Sequence, residues 1–367
     1  MSDSITSSVH AANSLASILA ASAKLQTQYS TLQEQSTTGL ISQNYAGIAP
    51  QSSQVLDLSA AASQGTTYSA VISAAQARAS TMQTALGQIS TLTSAMATQA
   101  LQLTQSTANL SVGSVAQQAK QDLQQLSSLL NTQYGGDYVF AGADTGNPPV
   151  PSPTTVASSG MYTQIGTAMA GLGATPSTVN AIIASTVASA ASNTSGTTVF
   201  STYLSTNAPS GGLNAAGRQI VIGDSQSVSL DYPASQNTNA VSDPTINGTG
   251  SATRDILGSL AVLANATTAM STTTDFAALM QHVSATLTSA SATITQESSS
   301  LGNTQNTLTT AADAETSSQT VLQGQISDLT QVDMASTISN MTAVNTQLQT
   351  SYQVLAMAKS LNLASFL

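Results

Sequence analysis

The side chains that most often carry chemistry are scarce in this sequence. Its two imidazoles are His10 and His282, and neither has an Asp, Glu or second His three or four residues further on, the spacing that sets two ligands on one helix face for a zinc ion. Both read as packing or surface residues. Asp313 and Glu315 stand two residues apart, so on a helix they face different ways and cannot share a proton as acid and base. Ser and Thr abound, yet neither nucleophile spelling, Gly-x-Ser-x-Gly or Ser-x-x-Lys, occurs. Gly171-Leu172-Gly173 and Gly211-Gly212 lack the phosphate-cradling spacings and read as loop punctuation. The residues therefore point away from an enzyme, and no catalytic, cofactor-binding or metal residue is expected.

Charge narrows the partners. Six Lys plus Arg stand against sixteen Asp plus Glu, a net charge of −10, and Lys24, Arg78, Lys120, Arg218, Arg254 and Lys359 are scattered. Such a surface repels phosphate backbones, so nucleic acid is not an expected partner. No apolar run reaches the roughly 18 residues that span a bilayer, which argues against a membrane partner, and the first thirty residues lack the basic, apolar and cleavage segments of a secretory signal. Export without a cleaved signal peptide is the expectation. The absence of cysteine suits an extracellular chain and a cytosolic one equally.

With so little chemistry, the elements themselves carry the information. Leu15, Ile18, Leu25, Tyr29 and Leu32 follow heptad spacing, with Ser22 at the missing seam position, which predicts one long helix. Gly39 ends it, and Asn44 to Pro50 reads as a linker because Pro50 disfavours helix just before it. Met82, Leu86, Ile89, Met96, Ala100 and Leu103 predict a second helix, and Leu123, Leu126 and Leu130 a third, antiparallel to it. Periodicity stops at Tyr134 to Gly142, followed by Pro148, Pro149, Pro151 and Pro153. From about 150 to 250 the chain is rich in Pro and Gly, with two candidate strands, Gln219 to Ile222 and Val228 to Tyr232, joined through Gly223-Asp224.

Helical spacing resumes at Leu257, Leu260 and Leu263. Thr272 with Asp275 predicts a capped start for a very long helix through Phe276, Leu279, Val283, Leu287, Ile294, Leu301 and Leu308. Leu322, Ile326 and Leu329 follow, then Met341, Val344, Leu348, Tyr352 and Leu355 form a last stripe, with Leu361, Leu363, Phe366 and Leu367 beyond it. A heptad helix cannot bury its stripe alone, and the matching stripe lies at the other end of the sequence. The two should pack together, within one chain or between copies.

Two segments carry a family resemblance. Leu129-Leu130-Asn131-Thr132 through Gly136-Asp137-Tyr138-Val139-Phe140-Ala141-Gly142, and Ile326 to Ala335 followed by Leu348-Gln349-Thr350-Ser351-Tyr352-Gln353, resemble the bacterial flagellin superfamily. The Leu-x-x-Ser-Tyr-Gln spelling is most similar to its hook-filament junction branch, hook-associated protein 3. The similarity covers about residues 1 to 150 and 250 to 367. It departs after Gly39, where Leu40 and Asn44-Tyr45-Ala46-Gly47 stand in place of the family's basic residue and acidic pair.

The resemblance implies a secreted, structural subunit of the bacterial flagellum that assembles axially, joining hook to filament. A filament flagellin is the alternative, and a secreted coiled-coil adhesin or phage fibre a more distant one. Implied partners are its own copies, other axial subunits (hook-associated protein and flagellin) and an export chaperone. The expected fold is mainly α: a long antiparallel helical rod from the N- and C-terminal regions with a small β-containing central domain. The expected division is 1–45 and 326–367 as inner coiled-coil helices, 46–148 and 251–325 as the rod, and 149–250 as an outward-projecting mixed or β domain. The expected assembly interface is Leu15, Ile18, Leu25, Tyr29, Leu32, Met341, Val344, Leu348, Tyr352 and Leu355.

Overall fold

The computed structural model describes residues 2–105, 111–173, 178–206, 219–230, 232–235 and 248–364, with side chains described from residue 16 in the first helix and up to 357 in the last. It is mainly α. Nine helices lie among the described residues: α1 (Ser2–Thr38), α2 (Ser52–Gln102), α3 (Val112–Leu130), α4 (Gly160–Met169), α5 (Thr178–Ala191), α6 (Thr202–Thr206), α7 (Ala252–Ala264), α8 (Thr274–Thr330) and α9 (Met334–Ala364). The strands form two hairpins, β1 (Gln133–Tyr134) with β2 (Asp137–Tyr138), and β3 (Gln219–Gly223) with β4 (Gln226–Ser229). The chain divides into two compact units, Met1–Thr66 with Thr316–Leu367, and Thr67–Glu315.

The first unit is built on α1 and α9. Gly39 ends α1 in the left-handed region at φ 73, which costs a glycine little, and its amide closes on the Gln35 carbonyl at 2.8 Å. The chain then pairs briefly with the α8–α9 junction: the Ile41 amide donates to Thr330 O at 2.8 Å and the Val332 amide to Gly39 O at 3.0 Å. Asp333 caps α9, its carboxylate accepting from the amides of Ala335 at 2.9 Å and Ser336 at 3.3 Å.

The second unit holds the large core. α2 contributes Met82, Leu86, Ile89 and Met96, α3 contributes Leu123, Leu126 and Leu130, and α8 contributes Leu279, Val283, Leu287 and Ile294. α7 is buried at every position, packed against α3, α4 and α5. Small hydroxyls also bridge α2 and α8: Ser291 Oγ lies 3.0 Å from Ser90 Oγ and 2.8 Å from Ser94 Oγ, and Ser284 donates to Ala97 O at 2.8 Å. Small side chains let these helices approach closely, in keeping with the Ala- and Ser-rich composition.

The segment from Asn131 to Gly142 has a clear local logic. Gly135 and Gly136, at φ 62 and 93, form the tight turn that joins β1 to β2. Asn131 ties its helix end to the proline-rich entry by donating to Val150 O at 2.7 Å and accepting from the Val150 amide at 2.9 Å. Phe140 then plugs the core and meets Tyr232 edge to face at 5.9 Å.

Three details differ from the sequence expectations. The long helix starts at Thr274 with Thr273 extended before it, and the Thr272 hydroxyl donates instead to Ala269 O within a 3-10 turn. β4 ends at Ser229, because Leu230 and Tyr232 turn into the core. The described part of 150–250 mixes the expected hairpin, β3–β4, laid by Ile222 against Ile72, Ala75 and Leu308, with three helices that the spacing did not predict, α4, α5 and α6.

A buried cation organises the core around α7. Arg254 donates to Ser235 O at 2.6 Å, Ala190 O at 2.9 Å and Asn193 Oδ1 at 2.7 Å, and its guanidinium carbon lies 4.9 Å from the centre of the Phe200 ring. Burial lowers its pKa to about 10, still far above neutrality.

Candidate assembly surface

The two terminal stripes meet. α1 and α9 pack antiparallel, and the side that each turns to the other follows heptad spacing. On α1 the covered positions are Ile18, Ser22, Leu25, Tyr29, Leu32 and Ser36; on α9 they are Thr337, Met341, Val344, Leu348, Ser351 and Leu355. Val344 and Leu348 are buried, at 6% and 7% exposure, whereas Ile18, Leu25, Tyr29, Leu32, Met341 and Leu355 are only partly covered in the single chain. The side chain of Leu15 lies outside the described residues, as do Leu361, Leu363, Phe366 and Leu367.

Two polar contacts mark the register. Ser22 Oγ lies 2.6 Å from Ser351 Oγ, and the Ser36 hydroxyl points at Met341 Sδ at 4.0 Å. A hydroxyl pair at a seam position is satisfied in one register only, so it fixes alignment at some cost in apolar burial.

Tyr352 is not in this seam. It is 50% exposed, because the spacing of four and three from Thr337 runs through Ser351, and one residue further turns the side chain by about 100°. Sequence reading followed apolar identity and passed over Thr337 and Ser351, small hydroxyl residues that only the period itself could have revealed. Tyr352 instead shares the outer side of α9 with Met334 and Ile338, 39% and 47% exposed, while Val354 and Met357 are 40% and 57% exposed on another side. On α1, Leu19 is 50% exposed.

Burial lowers the pKa of His282, an effect that the nearby Asp255 carboxylate partly offsets, and its Nε2 lies 3.4 Å from the Thr286 hydroxyl. Among the described residues no three His, Asp or Glu side chains gather to share a metal ion, and no helix is long and apolar enough to cross a membrane.

Two family models match this chain, one at each end. Residues 7–145 match the bacterial flagellin N-terminal helical region, and residues 284–367 match the bacterial flagellin C-terminal helical region. Together they take in more than half of the sequence and every element of the α1/α9 pair. A comparison with curated proteins finds no match.

Proposed function

The chain belongs to the bacterial flagellin family, a family of exported structural subunits of the flagellum, and from that premise we propose that it is the junction subunit between hook and filament. The observation that carries the axial part of this reading is the partly covered α1/α9 seam, with Met334, Ile338 and Tyr352 exposed beside it. A pair of helices that fully buries only Ser22, Thr337, Val344 and Leu348 leaves apolar surface whose burial is worth roughly 25 cal/mol per Å², and copies packed around an axis would cover it. The proposed assembly interface comprises Ile18, Leu25, Tyr29, Leu32, Met341, Val344, Leu348 and Leu355 along the seam, Leu15 by its place in the sequence stripe, and Tyr352 on the outer side of α9. The junction assignment rests on the Leu348 to Gln353 spelling.

In this scheme residues 1–45 and 326–367 form the inner coiled coil, 46–148 and 251–325 the rod, and 149–250 the part that projects outward. Partners are copies of the same chain, the neighbouring hook-associated protein and flagellin, and an export chaperone that covers the apolar helices before assembly. The role is structural rather than catalytic. Electron microscopy of a deletion strain tests the assignment. Hooks without filaments, with flagellin shed into the medium, are expected; filaments of normal length on hooks would overturn it.

A further inference from the structure

A buried carboxylate sits where a second copy can reach it. Asp122, on α3, is 5% exposed, and its side chain has one hydrogen bond, accepted from Gln118 Nε2 at 2.8 Å, with no cationic partner among the described residues. Burial raises its pKa, as expected for a carboxylate held out of water without a counter-charge. It lines an open groove of about 450 Å³ between α2 and α3, walled by Gln88, Gln99, Gln118 and Gln125. Glutamines supply donors and acceptors around the site but no charge.

Lys120 lies two residues before Asp122 on the same helix, so the two side chains leave α3 about 200° apart, on opposite flanks of its buried face. Lys120 is half-buried and has no carboxylate partner among the described residues. Opposite charges on opposite sides of one helix are what a repeated head-to-tail contact uses, because each copy then offers its cation to the next copy's carboxylate. We propose that the α2/α3 groove is a docking site for a second copy of this chain, whose Lys120 ammonium pairs with Asp122. The proposal rests on the axial assembly reading above and deepens it. The interaction balances a charge that the single chain leaves buried without a partner, so pairing gains more than an exposed ion pair would.

The test uses the full-length chain, assembled in vitro. A carbodiimide couples a carboxylate only to an amine in contact with it, with loss of water, and mass spectrometry locates the new amide. In assembled material an intermolecular Asp122–Lys120 link is expected, absent from the monomer. Asp122→Asn is expected to raise the critical concentration for assembly about tenfold or more while leaving monomer melting no lower, and the exchanged pair Asp122→Lys with Lys120→Asp is expected to restore assembly that either change alone removes. Polymers in which Asp122 couples to no amine or only to another lysine, or an Asp122→Asn chain with an unchanged critical concentration, would overturn the docking site while leaving axial assembly intact. A wild-type chain that formed no axial polymer would overturn the assembly reading and this proposal together.

Discussion

Replacing Leu348 and Leu355 together with Asp should unlock the terminal helices and leave the second unit folded. Leu348 is 7% exposed, so removing it from the seam forfeits nearly the full burial of a large apolar side chain, about 1.5 to 3 kcal/mol. Leu355 is partly covered and contributes less. The sum, roughly 2 to 4 kcal/mol, is a lower bound, because two carboxylates must also leave water or push the helices apart. Local opening of α1 against α9 then becomes on the order of 100-fold more frequent. Hydrogen exchange read by mass spectrometry should show that acceleration in peptides from α1 and α9, while peptides from α3, α7 and the first half of α8 keep wild-type protection, since their core is Met82, Leu86, Leu123, Leu126, Leu279 and their neighbours. Unchanged exchange in α1 would refute the seam as the element that holds the two helices together, and loss of protection across α7 would refute the independence of the second unit's core.

Arg254→Lys should lower the melting temperature of the second unit by about 6 to 12 °C, on a loss of about 3 kcal/mol, because an ammonium cannot reproduce the fork that reaches Ser235, Ala190 and Asn193; an unchanged calorimetric transition would count against it. Asp122→Asn should stabilise the monomer at neutral pH. Burial holds the folded-state pKa of Asp122 above the ordinary aspartate value of 3.8, so the wild type loses stability as pH rises through that interval. Urea denaturation should therefore show the two chains equal below that interval and the Asn variant ahead above it; the opposite order at neutral pH would show that the carboxylate is stabilising in the monomer. Gly160→Ala should cost about 1 to 3 kcal/mol, since a Cβ there runs into the Gly196 carbonyl at the start of α4, and an unchanged thermal transition would sink that account.

The long helices were legible because their burial follows their sequence period. Stripes from Met82 to Leu103, Leu123 to Leu130 and Phe276 to Leu308 fall on α2 and the residue after it, α3 and α8, and Gly39 and Pro50 mark real boundaries. α4 and α5 were not read, because their stripes mix Ala, Ser and Thr with a few large side chains, and an interval rich in Gly and Pro looks β-like when helices are short. α7 shows the limit from the other direction: a helix buried all round has no polar side to betray its orientation, and the Arg254 that anchors it looked like one more scattered cation. At the candidate surface, the seam was readable where it is Leu, Ile or Val and misread by one residue at Tyr352, where a hydroxyl residue, Ser351, holds the position.

Immunogold labelling of intact flagellated cells with an antibody raised against residues 149–250 tests the central claim most directly. Assembly at the junction predicts gold at a single point just beyond the hook on each flagellum. Flagella that carry no gold, in cells that nonetheless secrete the protein, would contradict axial assembly itself, and gold along the whole filament would contradict the junction assignment.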